Sequence, residues 1–237
     1  MSRSRVLTFA TAVAILGLGV WLMALNPWQD ESGAAGPSGE RVKLPAPRTD
    51  GDTSVEKALA RRRSVREYRD APLSLAEVSQ LLWAAQGITE PRESRRTAPS
   101  AGATYPLELY LVSGNVAGLP KGVYKYRPLD HELTRIREGD ARRELAAAAL
   151  GQSCVEQGAV ALVFSAVYER TTRRYGERGV RYVHMEVGHA AQNVYMQAVS
   201  LGMGTVVVGA FDDERIRRIV GIPVGEHPLY IMPVGKR

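Results

Sequence analysis

The sequence predicts an α+β sandwich. Two continuous apolar runs, at 159–167 and 205–211, are typical of strands that are buried on both faces. A third feature is the stretch 183–201, whose apolar residues recur at helical spacing. Helices and strands do not follow one another in the regular βα repeat that a doubly wound parallel sheet requires. We therefore predict layers of helix and sheet that share one core.

Local signals place the elements along the chain. Two capping-box patterns, Thr53 with Glu56 and Ser74 with Glu77, predict two helix starts, and Gly87 ends the second helix. The remaining predicted elements, in chain order, are strands at 107–112 and 122–126, a helix at 140–150, the strand at 159–167, the helix at 183–201, the strand at 205–211, a helix at 213–220 and a strand at 229–234.

The first fifty residues differ in composition from a folded domain. Val6–Leu25 contains no charged residue and follows two arginines, as a transmembrane helix with its N-terminus in the cytoplasm does. A cleaved signal peptide is the alternative, although no clear cleavage site follows the apolar run. We predict four regions: a cytoplasmic N-terminus at 1–5, a transmembrane anchor at 6–25, a flexible linker at 26–52 and a folded extracytoplasmic domain at 53–237.

Composition limits the partners and cofactors. The chain has 237 residues, a formal net charge of +6 and one cysteine, Cys154. This charge permits attraction to phosphates or to an anionic membrane. Aromatic residues are not interleaved with the basic residues as in base-stacking platforms, so we predict no nucleic-acid partner. A single cysteine excludes an intrachain disulfide and a thiolate metal cluster.

Three common site motifs were considered and set aside. His184 and His189 flank Glu186, but the two histidines are five residues apart rather than the four of a zinc-binding helix, so we predict no metal site. Buried polar or helix-packing roles are the alternative for these side chains. Neither a glycine-rich dinucleotide motif after a strand nor a Gly-x-Ser-x-Gly elbow occurs in the sequence.

The stretch Arg61–Tyr68 is the most informative. Four arginines and a serine occupy its first six residues. Guanidinium groups bind phosphate or carboxylate through paired hydrogen bonds and keep their charge at any working pH, so this stretch suits an anion with several oxygens. A solvated basic face is the alternative explanation for such a run.

Two later segments suit the same site. Pro99–Ala103 consists of small residues, which let another group approach the backbone closely, and Val208–Phe211 contains a glycine whose backbone can donate N–H groups. The three segments would together form one cofactor site. In it the arginine cluster holds a phosphate, the loop leaves space for a planar ring, and the backbone N–H groups donate to that ring.

In these segments and their order, residues 53–237 resemble the FMN-binding nitroreductase family. They look most like its SagB-type branch, which includes the azoline dehydrogenases of peptide maturation. Seven motifs carry the resemblance: Arg62–Tyr68, Pro99–Leu109, Gly122–Tyr126 with His131 and Leu133, Arg174–Arg178, Gly188–Asn193, Leu201–Gly204 and Gly209–Asp213. Each motif is weak alone, but seven in the family's order are specific.

The resemblance implies a role for each matching residue. The residues implied to hold the phosphate and ribityl chain of FMN are Arg62, Arg63, Ser64 and Arg66. Those implied to come from the neighbouring protomer of a homodimer are Pro99, Ser100 and Ala101. Backbone donors toward the reactive edge of the ring would come from Val208, Gly209 and Ala210, and the helix at 183–201 would form the dimer core.

Three positions depart from the family's pattern. Many relatives have a further basic residue near the phosphate, for which Arg237, or Lys236, is the candidate here. Ala103 stands where classical nitroreductases often have an asparagine that contacts the flavin. Azoline dehydrogenases carry a Lys-Tyr pair implicated in proton removal, and the corresponding residues here are Arg174 and Tyr175. Because a guanidinium cannot act as a base, Tyr175 is the candidate for proton transfer.

The sequence thus leads us to expect an anchored, FMN-dependent oxidoreductase that transfers hydride by a ping-pong mechanism through flavin N5. The donor would be NAD(P)H, the acceptor a small molecule and the assembly a homodimer. Three alternatives stay open: an azoline dehydrogenase in a peptide-modifying system, a flavin-binding module without turnover, and a membrane-tethered scaffold that binds no flavin.

Overall fold

The computed structural model describes residues 39–237. The predicted cytoplasmic segment 1–5, the predicted anchor 6–25 and the first part of the predicted linker lie outside the described residues. Within residues 39–237, no helix combines the length and the apolar character that a membrane span requires.

The described residues form a series of helices and strands. The helices are α1 Val55–Arg61, α2 Leu75–Gln86, α3 Arg142–Ala148, α4 Ser153–Gln157, α5 Glu169–Tyr175, α6 Arg178–Ser200 and α7 Asp213–Val220. The strands are β1 Arg41–Lys43, β2 Leu73–Ser74, β3 Ile88–Glu90, β4 Arg95–Arg96, β5 Leu107–Ser113, β6 Val116–Ala117, β7 Gly122–Arg127, β8 Glu132–Glu138, β9 Val160–Ala166, β10 Met203–Thr205 and β11 His227–Lys236.

One sheet organises the molecule. Across residues 39–237 it has seven strands in the order β1-β8-β7-β5-β9-β11-β10, and two short ribbons pair β2 with β6 and β3 with β4. Every neighbouring pair in the large sheet is antiparallel. An antiparallel sheet with helices packed on it confirms the predicted α+β sandwich.

The core lies on both faces of this sheet. Leu107, Leu109 and Leu111 of β5 pack in a core that includes residues of α2 and α6, whereas Tyr110 and Val112 pack with α3, α4 and α7. This division follows from the period of two along a strand, because successive side chains point to opposite faces. All seven residues of β9 are buried, as the apolar run at 159–167 predicted.

Capping fixes the helix starts. The predicted box at α2 is confirmed: the Glu77 N–H donates to Ser74 Oγ at 3.2 Å, and the Ser74 N–H donates to Glu77 Oε2 at 2.8 Å. At α1 the predicted cap is wrong by one residue. Ser54, rather than Thr53, accepts the hydrogen bond from the Lys57 N–H at 3.2 Å.

Part of the predicted linker is folded, so the boundary predicted at residue 53 is too late. β1 pairs with β8, Leu44 is 4% exposed, and Ser79 Oγ donates to the Pro45 carbonyl at 2.6 Å. The Gln80 side chain also bonds the backbone N–H and carbonyl of Arg48. The proline-rich, charged composition of this segment resembled a tether, but its few apolar side chains complete the core.

Candidate functional site

The arginine-rich segment lies along β10. The Val65 N–H donates to the Thr205 carbonyl at 2.9 Å, which aligns Ser64 with Thr205 as an isolated bridge. Gly204 makes this approach possible, because a Cβ there would lie 2.5 Å from a Val65 methyl group. With Val65 turned inward, the side chains of Ser64 and Arg66 stay exposed.

Tyr195 of α6 joins this segment to the chain that follows β10. Its hydroxyl lies 3.2 Å from Ser64 Oγ and accepts a hydrogen bond from the Val207 N–H at 2.9 Å. The Arg62 guanidinium stacks over its ring, 5.2 Å from the centroid. Tyr195 was not among the predicted site residues. Its position on the buried stripe of the helix indicated such a role, since a buried tyrosine needs a partner for its hydroxyl.

The backbone after β10 is irregular, so the strand predicted at 205–211 is wrong beyond Thr205. Val208 pairs with Ile231 in an isolated bridge through hydrogen bonds of 2.8 and 2.9 Å. Gly209 and Ala210 then leave the sheet and are exposed. Among the described residues, neither of their N–H groups donates to a protein acceptor. Two backbone donors without a protein acceptor therefore follow Val207, whose N–H donates to Tyr195.

The arginines of this region are available to an anion. Within residues 39–237, no carboxylate forms an ion pair with Arg62, Arg63 or Arg66. Arg63 is the least free of them, because it donates to the carbonyls of Ala60 and Arg62 at 3.2 and 2.7 Å. Uncompensated guanidinium groups beside a serine hydroxyl form a suitable site for a phosphate.

The C-terminus lies against the same segment. Gly204 contacts both Val65 and Arg237. A Cβ added to Gly204 would lie 3.2 Å from Cγ of Arg237. Lys236 instead forms an ion pair with Glu77. Burial of Glu77 opposes its ionisation, but hydrogen bonds from Lys236 and Ser74 hold the pKa of the carboxyl below its usual value. Arg237 is thus the basic C-terminal side chain that stays available.

The small-residue loop has an unusual backbone. Ser100 Oγ accepts a hydrogen bond from the Tyr105 N–H at 2.9 Å, and φ is positive at Gly102 (60°), Ala103 (54°) and Tyr105 (45°). A positive φ is costly for residues other than glycine, and such residues are concentrated at binding and catalytic sites. The loop is thus held in one shape by its own hydrogen bonds.

Tyr175, the predicted catalytic residue, contacts this loop. A Cβ on Gly102 would lie 2.5 Å from the Tyr175 hydroxyl and 3.0 Å from Arg174 Cζ, so a larger residue there would displace these side chains. Arg174 also donates from Nη1 to the Gly102 carbonyl at 3.2 Å. The structure therefore brings Tyr175 together with the loop Pro99–Ala101, although the two are more than seventy residues apart in sequence.

A buried polar cluster lies beneath the loop. Glu186 is 3% exposed, and its pKa is raised to about 7 because burial outweighs a hydrogen bond from Ser100 and the charge of Arg96. Arg96 stacks over the Tyr105 ring at 4.7 Å and donates to Gln86 Oε1 at 2.7 Å. One oxygen of Glu186, Arg96 Nε and Gln86 Nε2 have no protein partner in the described residues. A buried polar role was one of the two roles left open for Glu186, and its position next to the Ser100 loop was not predicted; a carboxylate on the apolar stripe of α6 was the signal that indicated it.

The predicted site residues thus form two groups. One contains the arginine segment, Gly209, Ala210 and Arg237; the other contains the loop Pro99–Ala101 and Tyr175. Among the described residues, no hydrogen bond or ion pair joins the two groups. Each is attached to α6, one through Tyr195 and the other through Glu186, nine residues apart or about 13 Å along the helix axis.

His184, one of the two histidines of the rejected metal motif, contacts a tyrosine of the chain before α5. His184 Nε2 lies 2.6 Å from the Tyr168 hydroxyl, and the buried carboxyl of Glu186 faces the Ser100 loop. In the part of the chain that the structure describes, no three His, Cys, Asp or Glu side chains are grouped as metal ligands.

The fold is an antiparallel α+β sandwich, and the family follows from comparison. The chain belongs to the nitroreductase family, whose model matches residues 59–236. It is therefore a nitroreductase-family oxidoreductase.

Curated relatives come from several organisms. A provisionally named nitroreductase of Methanocaldococcus jannaschii is 53% identical over 186 residues, which cover 78% of this chain and 92% of that protein. The trifolitoxin operon protein TfxC of Rhizobium leguminosarum is 29% identical over 75% of this chain and 54% of its own length. The microcin B17-processing protein McbC of Escherichia coli is 28% identical over 63% of this chain, which spans 57% of McbC.

Solved structures share the fold. A provisionally named nitroreductase of Ralstonia eutropha gives a TM-score of 0.73 at 30% identity, covering 86% of this chain and 92% of its own. One from Anabaena variabilis gives 0.74 at 27% identity, but this chain spans only 42% of it. The E. coli microcin synthetase complex, solved with a truncated precursor bound, gives 0.64 at 23% identity over 97% of this chain and 84% of that chain, a likeness of fold alone.

Proposed function

We propose that the chain is an FMN-dependent oxidoreductase that works as a homodimer and transfers hydride by a ping-pong mechanism from NAD(P)H to a small organic acceptor. When bound, FMN supplies the hydride chemistry, through N5 of its ring. The observation that carries the proposal is that Tyr195 joins Ser64 of the arginine segment to the Val207 N–H, two residues before Gly209.

The residues of the first group fit this cofactor. Arg62, Arg66 and Arg237 would neutralise the phosphate, and Ser64 would donate its hydroxyl. The free N–H groups of Gly209 and Ala210 would bind polar atoms at the edge of the ring, and such donors stabilise negative charge that develops there. Arg63, whose guanidinium bonds carbonyls of its own segment, would contribute mainly through its charge.

The second group would complete the site from a neighbouring protomer. Pro99, Ser100 and Ala101 lie on a rigid loop that makes no hydrogen bond to the arginine segment of its own chain in residues 39–237. A twofold axis would place the loop of each protomer over the arginine segment of its partner. Tyr175 would enter the site with the loop, where its hydroxyl could hold or move a proton.

Flavin content of the purified full-length chain tests this proposal. The chain should carry the visible absorption of a bound flavin, which extraction should identify as FMN. Arg66→Glu should abolish it, because a carboxylate repels the phosphate and the guanidinium donors are lost. Arg143→Glu makes the same change of charge on an exposed residue of α3 and should keep the flavin. Equal flavin content in both variants would refute the site.

Peptide azoline oxidation is the second candidate. It is favoured by the similarity to TfxC and to McbC, which is named for its processing of microcin B17. Arg174, which precedes Tyr175, keeps its proton and cannot act as the base that this reaction needs. Reduction of the bound flavin by an azoline peptide, with no reduction by NAD(P)H, would establish the second candidate over the first.

We also propose that the segment 6–25 anchors the enzyme in a membrane with the folded domain outside the cytoplasm. The support is the uncharged sequence of Val6–Leu25 and its basic flank. Protease should degrade the domain when it is added to cells whose outer barrier has been opened and whose cytoplasmic membrane is intact. A domain in the cytoplasm would survive this treatment.

A further inference from the structure

A basic surface adjoins the loop and Tyr175. It comprises the exposed side chains of Arg174, at the end of α5, and of Arg178 and Arg181, in the first turns of α6, and is called here the basic rim. Within residues 39–237, no carboxylate forms an ion pair with any of these three arginines. From residue 173 to residue 185 the sequence contains four arginines and a single acidic residue, Glu177.

Two tyrosines make this rim more than a solvated face. The rings of Tyr175 and Tyr182 meet edge to face with centroids 5.1 Å apart. Arg174 lies 5.5 Å from the centroid of Tyr175, and Arg178 lies 6.0 Å from that of Tyr182. Each guanidinium is thereby held against an aromatic face, which limits its rotamers and leaves its donors free for a ligand.

The rim lies where a substrate of the proposed enzyme would approach. Arg174 and the Tyr175 hydroxyl contact Gly102, next to the residues Pro99–Ala101 that we assign to the flavin site. A ligand that reaches Tyr175 from solvent therefore meets guanidinium groups that are stacked on the two tyrosine rings. Guanidinium donors held in this way suit a molecule that carries a carboxylate or a phosphate.

We propose that the basic rim binds the anionic group of the substrate, so that this enzyme prefers donors or acceptors that carry a carboxylate or phosphate over neutral ones of the same shape. This inference rests on the proposed function. It also gives Arg174 a role of its own: it holds an anion near Tyr175.

A matched pair of acceptors tests the inference. Nitrobenzoate and nitrobenzamide differ chiefly in charge, and NADPH differs from NADH by one phosphate. For the full-length chain, we expect nitrobenzoate to bind more tightly than nitrobenzamide in titration calorimetry. In Arg174→Gln/Arg178→Gln the KM and Kd for nitrobenzoate should rise at least about tenfold, since the charge-assisted contacts of both guanidinium groups are lost. The values for nitrobenzamide should not change. The NADPH-to-NADH ratio shows whether the donor, too, uses the rim.

Controls separate the two levels of the inference. Arg178→Gln alone leaves the contact of Arg174 with Gly102 intact and should give part of the effect. Arg143→Gln should give none. Two results with a flavin-loaded, active enzyme would overturn the rim but not the flavin site. One is equal binding of both nitro compounds, and the other is an equal loss of affinity for both in the double variant. A chain without flavin refutes the proposed function, and equal binding of the two compounds to that chain refutes the rim as well.

Discussion

At the scale of single residues, Tyr195 and Glu186 connect the two groups of the site to one helix. Tyr195 uses its hydroxyl to hold both Ser64 and the Val207 N–H, so the arginine segment and the chain after β10 share one support. Glu186 plays the corresponding part for the loop through Ser100. Both are polar side chains on a buried helix face, where an unpaired polar group is costly. Their positions along α6 therefore set where the two groups lie.

The buried carboxyl of Glu186 makes stability depend on pH. Burial is the main reason that its pKa is raised above the ordinary value for a glutamate, to about 7. The folded chain thus keeps a proton that the unfolded chain releases, so the free energy of unfolding falls as pH rises from about 4.5 to about 7 and then levels. Glu186→Gln removes this dependence. The free energy of unfolding of the variant minus that of wild type should therefore be larger at pH 8 than at pH 5, by up to roughly 3 kcal/mol.

Urea unfolding of wild type and Glu186→Gln at both pH values measures this difference. Glu169→Gln, on the exposed surface of α5, controls for loss of a negative charge. A constant difference between Glu186→Gln and wild type across the pH range would show that the carboxyl is ionised throughout.

At the scale of elements, β1 shows how an edge segment becomes part of the fold. Its pairing with β8 is short, but several side chains anchor the residues that follow it. His131 lies 2.7 Å from Ser79 Oγ and 3.0 Å from the Pro45 carbonyl through Nε2, and 2.8 Å from the Tyr126 hydroxyl through Nδ1. These polar contacts orient the segment, and burial of Leu44 stabilises it.

Shortening the chain tests the contribution of this segment. A chain that begins at residue 53 should be at least about 2 kcal/mol less stable than one that begins at residue 39. The shorter chain lacks Leu44, and the burial of that side chain alone contributes about this much. Thermal and urea unfolding of the two chains give the difference. Leu44→Ala in the full-length chain should account for a large part of it. Equal stability of the two shortened chains would show that 39–52 merely lies on the surface.

At the scale of the whole molecule, the two separate groups of site residues allow a direct test of the proposed shared site. If one chain supplies the arginine segment and its partner supplies the loop, two variants that each damage one group should rescue one another. Arg66→Glu damages the first group. Gly102→Val damages the second, since φ is 60° and the new side chain would meet the Tyr175 hydroxyl.

Co-expression of the two variants under different tags tests this prediction. Each homodimer should lack flavin, whereas the purified heterodimer has one site with both defects and one with none. It should therefore hold about half of the wild-type flavin content, as twofold symmetry requires. A heterodimer without flavin would mean that each site is built within one chain, and a monomer in solution would exclude the shared site.

The sequence predicted much of the fold because its signals are local. The box Ser74–Glu77, the apolar run of β9 and the helix α7 with Gly221 after it each depend on neighbours in sequence, and all three are confirmed. Errors occurred where distant contacts decide. After Thr205 the chain pairs with the sheet only at the isolated bridge between Val208 and Ile231 of β11, and β1 forms because β8 offers an edge.

The site divides in the same way. The residue types alone determined that an anion with several oxygens suits Arg61–Tyr68, because the charge and geometry of guanidinium do not depend on the fold. Only the tertiary structure decided which groups meet: Tyr195 brings Ser64 to Val207, Gly102 admits Tyr175, and the loop and the arginines stay apart. Such contacts are set by close packing between elements far apart in the chain, and no pattern of neighbours along a sequence encodes them.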